Sequence, residues 1–316
     1  MFFNEIIKSE NSSIYYNNWA NYRATLTKLI LDSAKDYYRL LHLRNEKAIR
    51  SNKELDLTGT KASLAIWGAG SCTDIDIFTL AKHFQIILID CEMDTITAVR
   101  SKFSTYASNI ICVDIPFWDI PHDTYIMYEA MLKDNTPIEQ IMIYLDEHIK
   151  KMVTPDYKKL PCFDFSVASG LSSQLCTRFI ALFSYYKHLY SETDRTILYN
   201  YISKLNTLAG NRLSEALKAM TSKLLLIGYE LKSYVPETFF LEDKHTSYIN
   251  DFFYTENISS DKFFNSDVDG NAIIQQKINT WVHEETARIL THHSDIWKYN
   301  DKKHYLMHFI SLLLDI

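Results

Sequence analysis

Glycine and proline are scarce in this chain, seven and six among 316 residues, so long flexible linkers are not expected. No apolar run approaches the roughly 18 residues that a membrane-spanning helix needs. The N-terminus, Met1-Phe2-Phe3-Asn4-Glu5, has no basic stretch followed by an apolar one and does not read as a secretory signal. Lys/Arg tracts are also missing and the formal charge is -6, so nucleic acid is not an expected partner. The cysteines, Cys72, Cys91, Cys112, Cys162 and Cys176, are odd in number and never form a CxxC pair. Reduced thiols in a cytoplasmic protein are the simple reading.

What the chain does have is apolar and aromatic bulk: 47% hydrophobic residues, with 21 Tyr and 17 Phe. That suffices for one α/β domain with additions, or for two small domains. Near the N-terminus Trp19, Tyr22, Leu26, Leu29, Ile30, Tyr37, Leu40 and Leu41 recur at spacings of three and four, which predicts a helix with one apolar face. A polar stretch, 44–60, follows, so residues 1–60 are expected to form an N-terminal helical cap.

From Ser63 the pattern changes. Short apolar runs at Leu64-Ala65-Ile66-Trp67, Ile86-Ile87-Leu88-Ile89, Ile110-Ile111-Cys112-Val113 and 163–168 alternate with helical segments. Continuous apolar runs of this kind predict strands of a mostly parallel sheet covered by helices on both faces. Leu224 to Tyr229 predicts a fifth strand. Two aromatic strands, around Ile296 to Tyr299 and Tyr305 to Leu312, predict a C-terminal β-hairpin turning at Asn300-Asp301. The expected fold is therefore α/β and Rossmann-like, filling 61–316, with insertions at about 115–161 and 239–271. Within the first insertion, Thr136-Pro137-Ile138-Glu139 predicts a helix start with Thr136 as N-cap and Glu139 closing a capping box.

The residues that could carry chemistry cluster where the predicted strands end: Gly68/Gly70, Asp90, Asp114 and Ser169/Gly170. In a parallel α/β sheet that edge binds ligands, at the point where strand order reverses. Gly68 and Gly70 permit a tight turn and close backbone approach. Asp90 lies about twenty residues on, the spacing at which an acid accepts from ribose hydroxyls. Asp114 could accept from an adenine amino group, or merely cap the next helix. Asp74 and Asp76 are expected in the first turn of the following helix, where acids suit its dipole; Asp74 could also reach a cofactor amino group. These features leave two cofactor classes open, a dinucleotide and S-adenosylmethionine. A dinucleotide needs a third glycine in G-x-G-x-x-G, and Thr73 stands there.

The stretch from Gly68 to Ile77, followed by Ile87-Leu88-Ile89-Asp90-Cys91-Glu92-Met93-Asp94, resembles class I S-adenosylmethionine-dependent methyltransferases. It is most similar to a bacterial branch with GAG-x-x-x-D-x-D-L and then L-V-D-x-D. Phe163 to Leu175 is similar to that class's fourth-strand motif with its S-Q-L. The resemblance covers Leu64 to Leu175 except the insertion, and the C-terminal third only in outline. It implies a cofactor site of Trp67, Gly68, Ala69, Gly70, Asp74, Asp90, Cys91, Asp114, Ile115, Ser169 and Gly170. Within it the glycine loop lies against the methionine part, Asp90 on the ribose, Asp114 near the adenine, and Ser169 facing the sulfonium. Two departures stand out: Ile66 replaces the acid often found two residues before the first glycine, and Cys72 replaces the third glycine of G-x-G-x-G.

The implied activity is methyl transfer to a small-molecule or peptide acceptor. An NAD(P)-dependent oxidoreductase and a binding protein without turnover are the alternatives. His122, Asp119 and Tyr125, just after the third strand, are base or lid candidates. Asp164 starts its strand, away from the ligand edge, and is expected to be structural. His283, His292, His293, His304 and His308 lack metal-ligand spacing, and Asp267-Val268-Asp269-Gly270-Asn271 lacks the full calcium ladder, so no metal is expected.

Overall fold

The computed structural model describes residues 2–4, 19–44, 61–234, 271–300 and 303–314. The expected 239–271 insertion, and Asp267 to Gly270 within it, lie outside the described residues. Seven strands form one sheet: β1 (Ser63–Trp67), β2 (Gln85–Ile89), β3 (Ile110–Val113), β4 (Phe163–Ser169), β5 (Thr221–Tyr234), β6 (Arg288–Asn300) and β7 (Lys303–Leu313). Their order is β3-β2-β1-β4-β5-β7-β6. The first five are parallel, whereas β7 runs antiparallel to both β5 and β6. The fold is thus the Rossmann-like sheet with a C-terminal hairpin that the sequence predicts. Strand order reverses between β1 and β4, so the crevice at their carboxyl ends is the topological switch point.

The sheet is apolar on both faces because side chains alternate along every strand. Leu64, Ile66, Ile86, Leu88, Phe165, Val167, Leu224 and Leu226 belong to one core cluster. Ala65, Trp67, Ile87, Ile89, Ala168, Leu225 and Ile227 belong to the other. The first face is covered by α1 (Ala20–Arg44), which buries Tyr22, Leu26, Ile30, Ala34 and Tyr37. Two short elements, α2 (Ile77–Leu80) and α3 (Met93–Lys102), complete that side. The second face is covered by the end of α7 (Glu192–Ala219) and by α8 (Asn271–His283).

A third cluster stands apart from the sheet. It joins Phe3 to α4 (His122–Lys133), α5 (Ile138–Lys151), α6 (Thr177–Tyr186) and the first half of α7. In α5 Ile138, Ile141, Leu145 and Ile149 are buried on one stripe; each such side chain contributes roughly 1.5–3 kcal/mol of burial. The expected capping box does not form, because the chain enters α5 one residue later. Pro137 is the N-cap and makes no side-chain cap bond. The strands β5, β6 and β7 run longer than their apolar cores predict, at 14, 13 and 11 residues. Antiparallel pairing as far as Tyr234↔His304 carries the ladder into polar sequence. No helix among the described residues is long and apolar enough to cross a membrane.

Candidate functional site

Past Trp67 the backbone turns through three left-handed residues, Gly68 (φ 65°), Gly70 (φ 47°) and Cys72 (φ 50°). This conformation costs an L-residue about 1–2 kcal/mol, which explains why glycine is expected at all three positions. Cys72 adopts it nonetheless, locked by burial and by donation of its N–H to Ala69 O at 2.9 Å. Burial, followed by the nearby Asp74 and Asp90, pushes the Cys72 thiol well above its ordinary pKa, so it stays protonated. Trp67 and Ala69 point their side chains into opposite core clusters. What they offer a ligand is backbone.

Asp90, just beyond β2, shapes this loop directly. One carboxylate oxygen accepts from Gly70 N at 2.7 Å and the other from Glu92 N at 2.9 Å. Each oxygen keeps a second acceptor site, so hydroxyl donors can still reach it. Exposed Cys91 follows. At the end of β3 Asp114 is exposed and Ile115 is buried. Desolvation, then Asp119 and Asp90, raise the Asp114 carboxyl, which places these three acids within electrostatic reach of one another. Asp114 caps no helix; the next one starts at His122 with Pro121 as its N-cap.

Asp74 and Asp76 are not in a helical first turn, which corrects the expectation. The α2 helix begins only at Ile77, because Asp76 is its N-cap and accepts from Thr79 N at 3.1 Å. Asp74 stands before it, its carboxyl raised to about 6 by desolvation and held back by its own backbone N–H and by Arg23. Across the crevice Ser169 Oγ lies 2.7 Å from the Tyr22 hydroxyl. Gly170 is left-handed at φ 64° and donates its N–H to Gly228 O at 2.8 Å. The structure therefore brings the glycine loop, Asp74, Asp90, Asp114, Ser169 and Gly170 to one edge of the sheet.

Sequence reasoning missed several residues here. Tyr22 was legible only as part of a packing face, and Arg23 carried no signal. Glu230 is 2% exposed, accepting from Ser173 Oγ at 2.8 Å and Asn271 Nδ2 at 2.9 Å. The signal for it was a lone acid closing an apolar run. Trp297 stacks on Tyr22 at 4.6 Å. Of the base and lid candidates, Asp119 lies within electrostatic reach of Asp114, and His122 Nε2 lies 3.0 Å from Glu92 Oε1, which Arg178 also contacts at 3.1 Å. Tyr125 is buried and stacks on Phe3. Asp164 is structural, holding Ser63 N at 2.8 Å and Lys223 Nζ at 2.6 Å at the opposite end of the sheet. His308 is a core histidine, lowered to about 3 by burial. Among the described residues no three His, Cys, Asp or Glu side chains converge as a metal site. A pocket of about 420 Å³ lies along α8, lined by residues from Ala272 to Glu284.

No protein-family model and no curated protein sequence matches the chain. Among solved structures it is similar to an S-adenosylmethionine-dependent methyltransferase from Methanosarcina mazei, at 9% identity and TM-score 0.36, covering 81% of this chain and 93% of that one. It is also similar to a glycopeptide N-methyltransferase in complex with S-adenosylmethionine, at 6% identity and TM-score 0.35, covering 86% and 92%. A third likeness is to a precorrin-6y C5,15-methyltransferase from Geobacter metallireducens, at 9% identity and TM-score 0.26, covering 80% and 79%. Likenesses this distant do not speak for an activity, which is left to the geometry of the site.

Proposed function

We propose that the chain binds S-adenosylmethionine at the carboxyl ends of β1, β2 and β4 and transfers its methyl group to a small-molecule or peptide acceptor. The observation that carries this reading is the left-handed Gly68-Gly70-Cys72 loop, pinned at the switch point by the Asp90 carboxylate. The fit favours a cationic ligand. Asp74, Asp90 and Asp114 line the edge, and a Cβ on Gly70 would meet nothing within 4 Å, which leaves room beside the backbone.

A dinucleotide fits less well. Its pyrophosphate needs an open helix N-terminus, and here α2 has four residues and its first turn is occupied by the Asp76 carboxylate. Thr73 also stands where the third glycine would be.

When bound, the cofactor supplies a methyl group on a sulfonium leaving group. The chain's own residues have three tasks. The glycine loop gives close backbone approach, Asp90 holds the loop and offers acceptor sites to ribose hydroxyls, and the Ser169 side of the crevice faces the acceptor. Holding two reactants aligned in this way lowers the barrier by several kcal/mol. The acidic edge supports a small or peptide acceptor over nucleic acid. Five free cysteines support a cytoplasmic location.

Calorimetry with S-adenosylhomocysteine tests the reading. Wild type should bind one equivalent in the micromolar range. Asp90→Ala strands two backbone N–H groups and should bind at least tenfold more weakly, since hydrogen bonds to charged groups contribute about 1.5–3 kcal/mol. Absence of wild-type binding to both S-adenosylmethionine and S-adenosylhomocysteine would sink it. Stoichiometric binding without turnover over a broad acceptor panel would instead favour a binding protein.

A further inference from the structure

The ladder between β1 and β4 ends at the pair Trp67↔Ala168. Beyond it the two chains diverge, the loop 68–76 one way and Ser169-Gly170 the other. The walls of the crevice still touch through apolar packing: a Cβ on Gly68 would meet Leu171 Cδ1 at 2.6 Å. Polar ties come from a different element, the first two turns of α1. Tyr22 reaches Ser169 Oγ at 2.7 Å, and its neighbour Arg23 donates Nη1–H to Thr73 O at 2.7 Å. One turn on, Thr27 Oγ1 accepts from Asp76 N at 3.0 Å. Trp19 anchors the start of the helix by donating Nε1–H to Tyr299 O at 2.8 Å.

We propose that this end of α1 is a clasp that sets the spacing of the two cofactor-binding walls, with Tyr22 and Arg23 as positioning residues. The inference rests on the cofactor reading above and names the residues that make that site rigid. A helix is suited to the task, because positions 19, 23 and 27 share one face and position 22 lies beside them. Tyr22 is 2% exposed and stacked on Trp297, so its hydroxyl has little freedom. Desolvation, then Asp74, hold that phenol far above its ordinary pKa; it remains an O–H group throughout the working pH range. Sites whose supporting shell is locked hold ligands at a productive geometry, and loosening that shell lowers affinity without removing a direct contact.

The test compares three variants by calorimetry with S-adenosylhomocysteine and by urea unfolding. Tyr22→Phe and Arg23→Gln should each weaken binding about three- to tenfold, the range expected for one net hydrogen bond. Ser33→Ala is the control. It deletes a buried bond of the same helix, Ser33 Oγ to Ser311 Oγ at 2.6 Å, away from the crevice. It should lower the urea midpoint comparably while leaving the dissociation constant within twofold of wild type. If Tyr22→Phe does not fold, Arg23→Gln carries the same expectation from the other wall. The clasp is overturned if the folded Tyr22 and Arg23 variants bind like wild type, or if Ser33→Ala weakens binding as much as they do. Failure of wild type to bind would refute the cofactor reading instead.

Discussion

The glycine loop allows one mechanism to be separated from another, because Gly68 and Gly70 share a left-handed backbone and differ in surroundings. Gly68→Ala forces an L-residue to φ 65° and puts a methyl 2.6 Å from Leu171 Cδ1 and 3.3 Å from its Cγ. The backbone costs about 1–2 kcal/mol. Moving Leu171 off its rotamer adds about 0.5–1.5 kcal/mol, for a total of about 1.5–3.5 kcal/mol. Gly70→Ala bears the backbone cost alone, because its methyl enters open space. Unfolding entropy grows with chain length, so for 316 residues each kcal/mol lowers Tm by about 1.5 °C; Gly68→Ala should melt about 2–5 °C below wild type and Gly70→Ala about 1.5–3 °C below. Affinity should rank the other way. The Gly70 methyl occupies the space through which a ligand meets the loop, and should weaken S-adenosylhomocysteine at least tenfold. The Gly68 methyl points at Leu171 and should weaken it less. Differential scanning calorimetry and titration calorimetry on the same preparations measure both quantities. Equal melting points, or wild-type affinity in folded Gly70→Ala, would refute the reasoning.

Two further outcomes are expected. The Asp74 carboxyl has a folded pKa of about 6 against an ordinary 3.8, so deprotonation is harder in the fold. Its contribution to stability is complete below pH 3.8 and declines as pH rises through 6. The α-ammonium group, which S-adenosylhomocysteine keeps, would have the opposite trend when bound beside it, so affinity should rise from pH 5 to 7 in wild type and stay flat in Asp74→Asn; a slope in the variant would sink the assignment. Glu129 is a buried carboxylate that accepts from Phe2 N at 2.6 Å, Phe3 N at 3.0 Å and Tyr186 Oη at 2.9 Å. Glu129→Ala leaves these donors without their acceptor and should cost about 2–4 kcal/mol, measured by urea unfolding. An unchanged midpoint would show that water takes the place of the carboxylate.

Much of the scaffold was legible because its signals are local. Apolar runs of four residues, each followed by Gly or Asp, mark β1 to β3 to within a residue or so, and 163–168 before Ser169-Gly170 marks β4. The spacing from Gly70 to Asp90 is one β-α-β unit, so the acid arrives beside the glycine whatever else the chain does. The longer strands of the hairpin were not legible, since their outer halves are held by pairing and not by apolar pattern. The capping box at Thr136 looked well formed, yet the register of a helix start depends on how its apolar stripe docks. Asp74 and Asp76 were misplaced for a similar reason: Thr27 of α1 holds Asp76 N, and α2 starts only after it.

By itself, then, the sequence determined that a parallel sheet exists, where its strands end, and that glycine and acid meet at one edge. These are consequences of continuous apolar runs, which a sheet covered on both faces requires, and of left-handed turns, and both are properties of short stretches. Only the tertiary structure decided that Asp90 grips Gly70 N–H, that Glu230 lies buried near Gly170, and that α1 reaches the ligand edge. The Tyr22–Ser169 bond joins residues 147 positions apart. No local pattern encodes such a contact, because it depends on which face of the sheet a helix covers and on how far along that face it lies.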